Sequence, residues 1–264
     1  DSPFSWFDDF FENVKSEPAV LSEIGFIHFS GGEPLLEKNH LAFLRELIGR
    51  GRASHLVLDY TSNLTVLPEA VLKAWAHFKK VRISVSWDGR KAAQEYIRFP
   101  LRYERFLDHV RMLDEADGPF ELWINSTVSV LNVWDYPLFL REFLSRGFRR
   151  YNVLESPEGP RFYPSFHILR KPEIFSLDRV TASGKERLEA HYRENLPLIE
   201  AAIKERGWRS EDLASSLRGV IDSIRPSLQE EGEDLNETLR KKDRFRKMNH
   251  RDFIPELEML VAKA

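Results

Sequence analysis

Ser30-Gly31-Gly32-Glu33-Pro34 is the stretch of this chain where backbone freedom and charge meet. Two adjacent glycines let a ligand approach bare backbone, and they permit positive φ where a side chain would be strained. Glu33 sets one negative charge beside them, and Pro34 stiffens the exit. An anionic side chain next to open backbone donors and acceptors suits a zwitterion such as an amino acid. The competing use of Glu33 is to cap the helix that follows.

Further polar residues recur at the ends of apolar stretches. Five such stretches read as strands: Ile24–Ser30, His55–Thr61, Val81–Trp87, Glu121–Val130 and Arg149–Glu155. Side chains alternate across a strand, so each divides into two faces. One face collects His28 and Ser30, then Asp59, Thr61 and Asn63, then Ser84, Ser86 and Asp88, then Asn125 and Thr127. The last strand adds Glu155 or, in the other register, Asn152. The opposite face collects Ile27, Phe29, Leu56, Leu58, Ile83, Val85, Leu122, Ile124 and Val128, which would pack under helices. A closed eight-stranded barrel fills its lumen with branched apolar side chains. A polar inner face therefore predicts an open, incomplete barrel that holds a polar ligand at the C-terminal strand ends, where parallel-sheet proteins bind.

The elements that position these residues alternate. Helices are expected at Pro3–Lys15, Asn39–Arg50, Pro68–Phe78, Tyr103–Ala116 and Asp135–Arg146, the last stopped by Gly147. Strands alternating with helices argue for parallel pairing through helical crossovers. After Ser156 the chain changes character: Pro157, Gly159, Pro160, Pro164 and Pro172 mark an irregular connector. Helical patterns follow at Ser183–Arg206, Ser210–Ile224 and Asn236–Phe245, with Glu230–Asp234 a solvated acidic linker. The expected domains are residues 1–156, an α/β core, and residues 157–264, a connector with a mainly helical extension.

Composition narrows the chemistry. The chain has 264 residues, 42% hydrophobic and 31% charged, with a net charge of −3, so a basic footprint for nucleic acid is lacking and that partner is disfavoured. No apolar run is long enough to span a bilayer, so no membrane partner is expected, and the cytoplasm is the default location. Having no cysteine, the chain can form no disulfide and can offer no thiolate to a metal or an iron–sulfur cluster. The histidines show no metal-ligand spacing, so no metal is assigned to them. Arg240–Lys247 is locally basic and reads as a solvated helix face or as a contact for a phosphate-bearing or acidic substrate.

The segments Ile27–Leu36 (containing Gly-Gly-Glu-Pro), Thr61–Thr65, Ile83–Gly89 (ending in Ser-x-Asp-Gly), Ile124–Asn132 and Gly147-Phe148 resemble, in order, those of the radical S-adenosylmethionine (radical SAM) enzymes. The likeness is to members with a short twitch-type C-terminal extension. It covers residues 1–156 well and the remainder loosely.

That resemblance implies a six-stranded (βα)6 partial barrel in which the Gly-Gly-Glu-Pro motif ends the second strand. Five strands preceded by a helix then correspond to strands two to six. The family's Cys-x3-Cys-x2-Cys loop and first strand are expected upstream of Asp1. By resemblance, Gly31, Gly32, Glu33 and Pro34 meet the methionine amino group of SAM, and Asn63 follows the third strand. Ser84 and Ser86 take carboxylate or ribose, Asn125 or Thr127 lies near ribose, and backbone around Leu154 meets adenine. The implied cofactors are SAM and a 4Fe-4S cluster, the latter with no ligand in this chain and so held only by the full-length parent. The implied reaction is reductive cleavage of SAM to start radical chemistry on an unidentified substrate, with a peptide as candidate. Flavodoxin or ferredoxin would donate the electron. The alternative is a non-catalytic relative that binds SAM or a peptide without a cluster.

Overall fold

The computed structural model describes residues 12, 22–225 and 234–261. Apart from Glu12, the expected helix Pro3–Lys15 lies outside them, as do residues 230–233 of the acidic linker. In chain order the elements are β1 (Phe26–Phe29), α1 (His40–Gly49), β2 (Val57–Ser62), α2 (Glu69–Trp75), β3 (Lys80–Ser86), α3 (Lys91–Ile97), α4 (Tyr103–Glu115) and β4 (Phe120–Val128). They continue as α5 (Tyr136–Ser145), β5 (Val153–Leu154), β6 (Arg161–Phe162), β7 (Phe166–Ile168), α6 (Ala182–Glu205), α7 (Leu213–Asp222), α8 (Leu235–Arg246), α9 (His250–Phe253) and α10 (Leu257–Leu260). Among the described residues, no helix is long and apolar enough to cross a membrane.

The protein is α/β, with hydrogen-bonded strand order β1-β2-β3-β4-β7. It divides into two compact units, residues 1–85 with 105–123 and residues 86–104 with 124–264.

In the first unit, β1 and β2 pair in parallel from Phe26 opposite Val57 to Phe29 opposite Tyr60. Strands β2 and β3 do the same from Val57 opposite Lys80 to Ser62 opposite Val85. The alternation expected of these strands holds: Leu58, Tyr60, Val81, Ile83 and Leu122 are buried. They share the core with Leu44 and Leu47 of α1, Trp75 of α2 and Val110 and Leu113 of α4. The other face is open and charged. His28 Nδ1 lies 2.6 Å from Asp59 Oδ2, and Glu121 accepts from both Lys80 and Arg82 at 2.7 Å.

In the second unit, Trp87 N–H bonds Asn125 O at 3.4 Å, and β4 pairs in parallel with β7 from Ser126 opposite Phe166 to Val128 opposite Ile168. The expected fifth strand, Arg149–Glu155, does not take this place. Only Val153–Leu154 of it is extended, and it pairs antiparallel with β6. The physical cause is Asn152, which sits at φ +57° and breaks the extended run. Its side-chain amide accepts from Ile124 N–H at 2.6 Å and donates to Ile124 O at 3.2 Å. A side chain thus does for β4 at that point what a strand backbone would do, and β7 takes up the ladder beyond it. The core of this unit is aromatic: Trp87 meets the rings of Tyr103, Phe139, Phe143 and Phe148 at 5.3–6.2 Å. Helix α6 begins with Thr181 capping the Gly184 N–H at 3.0 Å; a Cβ on Gly184 would stand 2.4 Å from Leu260 O, so only glycine fits there.

Candidate functional site

The first unit carries the Gly-Gly-Glu-Pro turn at the C-terminal end of β1. Gly31 has φ +93° with nothing near its missing Cβ among the described residues, so the requirement seen there is conformational. Gly31 and Gly32 are exposed, while Glu33 and Pro34 are half-buried. Glu33 does cap the short 3-10 turn Pro34–Leu36, but only through a long 3.4 Å bond from Leu35 N–H. Its stronger bonds reach the end of β2: Ser62 Oγ donates at 2.6 Å and Asn63 N–H at 2.7 Å. Ser62 in turn accepts from Leu64 N–H at 2.9 Å, and Leu64 O bonds His109 Nδ1 at 2.7 Å. The Glu33 carboxylate is therefore held in place by the β2 end and the loop after it.

Burial pushes the Glu33 carboxyl above its usual range, and the bonds from Ser62, Asn63 and Leu35 pull it part of the way back. No lysine, arginine or histidine pairs with it among the described residues. Ser84 is half-buried on the open face, in register with Thr61.

The second unit holds Ser86, Asn125, Thr127 and Leu154. Ser86 is buried, and its carbonyl accepts from Gln94 Nε2 at 3.1 Å. Asn125 is half-buried, with its Oδ1 enclosed and without a hydrogen-bond partner among the described residues. Thr127 donates its backbone N–H to Asp88 Oδ1 at 2.7 Å. Asp88, only 1% exposed, also takes Arg98 Nε on Oδ2 at 2.5 Å, and its carbonyl accepts from Asn132 Nδ2 at 2.7 Å. Asp88-Gly89 is therefore a buried hub rather than a simple turn. Leu154 is 41% exposed within the β5–β6 ribbon.

The residues that organise these groups differ from those the alternation singles out. Ser62 falls on the apolar face by parity, yet its hydroxyl anchors Glu33. The visible signal is its place in Thr61-Ser62-Asn63, where the strand ends and parity lapses. Arg98 and Asn152 carry no local signal, because these partners lie 10 and 28 residues away; Asn132 closes its own turn by accepting from Ser129 N–H at 2.7 Å and also reaches Asp88 O, 44 residues off.

A zwitterion fits the first unit's group: a half-buried, anchored carboxylate without a cation among the described residues accepts an ammonium through a charge-assisted bond. A thiolate-held iron–sulfur cluster does not fit, because the chain has no cysteine. Among the described residues, no group of three His, Asp or Glu side chains is placed to hold a metal.

No protein-family model matches the chain, and no curated protein matches it.

Proposed function

We propose that this chain is the SAM-binding core of a radical SAM enzyme, its parallel strands being strands two to six of a (βα)6 partial barrel. The observation that carries the reading is Glu33. Its carboxylate follows a two-glycine turn at a strand end, is locked by Ser62 and Asn63, and lacks a counter-cation among the described residues. The ammonium of SAM supplies that cation, and Gly31 and Gly32 leave the backbone open to it. The order of the sequence motifs adds support. In that family the cluster-bound cofactor supplies the radical, and the substrate, for which a peptide is the candidate, receives it. No residue of this chain is chemically fitted to hold the cluster, so the assignment to its own residues stops at binding.

Titration calorimetry of the chain with SAM tests this. Binding is expected, and Glu33→Gln should weaken it about tenfold or more, since a charge-assisted hydrogen bond contributes about 1.5–3 kcal/mol. Failure of the unsubstituted chain to bind SAM would sink the reading. The lack of any thiol in the chain favours a second reading, a relative that binds SAM or a peptide without radical chemistry. Formation of 5′-deoxyadenosine by the protein as encoded, after reconstitution with iron and sulfide, separates the two.

A further inference from the structure

The second unit carries a cavity of about 280 Å3, partly open to solvent, beside Asp88 and Thr127. Its floor is apolar, with Leu131, Leu169 and Phe175. Its charged wall comes from α8, where Lys242 and Arg246 stand one turn apart on the same helix face.

Among the described residues the charges there do not balance. Asp88 is the one acidic residue of these that lines the cavity, and both of its carboxylate oxygens are taken, by Arg98 Nε and Thr127 N–H. Asp243, next along α8, turns to His250 and to the Tyr96 hydroxyl, at 2.7 and 2.9 Å. Neither Lys242 nor Arg246 pairs with a carboxylate among the described residues. Two like charges spaced by four on a helix repel each other, and here they do so against an apolar floor. Burial and the Arg246 charge both push the Lys242 ammonium below its usual range.

The cations are also held in place. Arg246 lies over the rings of Tyr96 and Phe99, 5.5 and 5.4 Å from their centroids, and donates to Tyr96 O. Lys242 Nζ stands 5.2 Å from the centre of the Phe175 ring. An arginine fork set in advance favours planar or tetrahedral oxyanions, and holding it in advance lowers the entropic cost of binding.

We infer that this cavity binds a small organic acid, its carboxylate or phosphate bridging Lys242 and Arg246 and its compact apolar body lying on Leu131, Leu169 and Phe175. The site rests on Lys242 and Arg246 and does not require SAM to bind; Thr127, which the resemblance sets near the ribose of SAM, also lines the cavity.

Titration calorimetry of the intact chain with benzoate, phenyl phosphate and neutral benzyl alcohol tests it. At least one of the two acids should bind, more tightly than benzyl alcohol, and its binding should weaken as salt is raised. Tighter binding of phenyl phosphate would identify a phosphate ligand, and tighter binding of benzoate a carboxylate. Lys242→Met keeps the chain length and removes the charge, and should weaken the acid about tenfold. Lys241→Met removes a neighbouring charge that pairs with Glu237, and should leave the affinity unchanged. Because Arg246→Gln could disturb the Tyr96 packing, Lys242→Met is the deciding variant. Failure of both acids to bind, or unchanged affinity in Lys242→Met, would overturn the inference.

Discussion

The Tyr60 hydroxyl lies 2.9 Å from His40 Nε2 inside the first unit. Trp75 Nε1–H, which can only donate, reaches the same hydroxyl at 3.1 Å. The tyrosine oxygen thus joins the tryptophan and the imidazole in one buried polar group. Burial disfavours a charged His40, whose Nδ1 is enclosed with no hydrogen-bond partner among the described residues. Phe29 stacks on Tyr60 at 4.7 Å and closes the group from the sheet side.

The first prediction concerns pH. Burial pushes His40 down from 6.5 to about 4. With the folded pKa below the unfolded one, the unfolded chain takes up the proton first. The stability contribution is intact above pH 6.5 and is lost as pH falls from there to about 4. The loss should reach roughly 3 kcal/mol at the acid end. Denaturant titrations along this range should show it, and His40→Gln should remove most of the slope. A variant that loses stability on acidification as steeply as the unsubstituted chain would contradict the assignment.

Glu33 works in the opposite sense. Its folded pKa is raised by burial, so its favourable contribution is present below pH 4.5 and disappears as pH rises through the folded value. The two groups sit in one unit and partly offset each other in mildly acid solution. Glu33→Gln should therefore steepen the acid loss caused by His40. The same denaturant titrations read this directly, and a shallower slope in the variant would count against it.

Asp88→Ala should destabilise the second unit by about 3 kcal/mol, because it strips Arg98 and the Thr127 N–H of a buried carboxylate. Asp88→Asn keeps the size and one acceptor and should recover part of that loss. Chemical denaturation followed by tryptophan fluorescence would report it, since Trp87 is adjacent in sequence and fully buried. Equal stability of Asp88→Ala and the unsubstituted chain would show that the hub contributes nothing.

Asn152→Ala should cost about 2 kcal/mol, through the loss of buried hydrogen bonds to Ile124 and to Tyr163 O and the strain of its left-handed backbone. Asn152→Gly relieves the strain but not the bonds, so it should fall between the two. Hydrogen exchange at the Ile124 amide is the sharper probe: protection there should drop in both variants.

Much of the first unit could be read from residue order. Strands β1 to β4 and helices α1, α2 and α4 appear where period-two and helical spacing put them, because each buries one face. The polar strand ends Asn63, Ser84, Asn125 and Thr127 lie outside the fully buried face, where alternation places them; Ser86 and Asp88, read onto the same open face, are buried instead. Beyond Tyr151 the reading failed at the fifth strand. Arg149–Glu155 has strand-like composition, but the competition between its backbone and the Asn152 side chain for the edge of β4 has no local signature.

By itself the sequence determined the α/β class, the parallel strand order at its start, the open polar face, the exposed two-glycine turn and the exclusion of a thiolate-held cluster. Those follow from periodicity and from which side chains exist. Only the tertiary structure decided that Glu33 is anchored by Ser62 and Asn63, that Asp88 is a buried hub with Arg98, and that Lys242 and Arg246 face a cavity with no carboxylate paired to either among the described residues. Each depends on residues far apart in the chain, and whether a charge is satisfied depends on what folding brings beside it and how much water it removes.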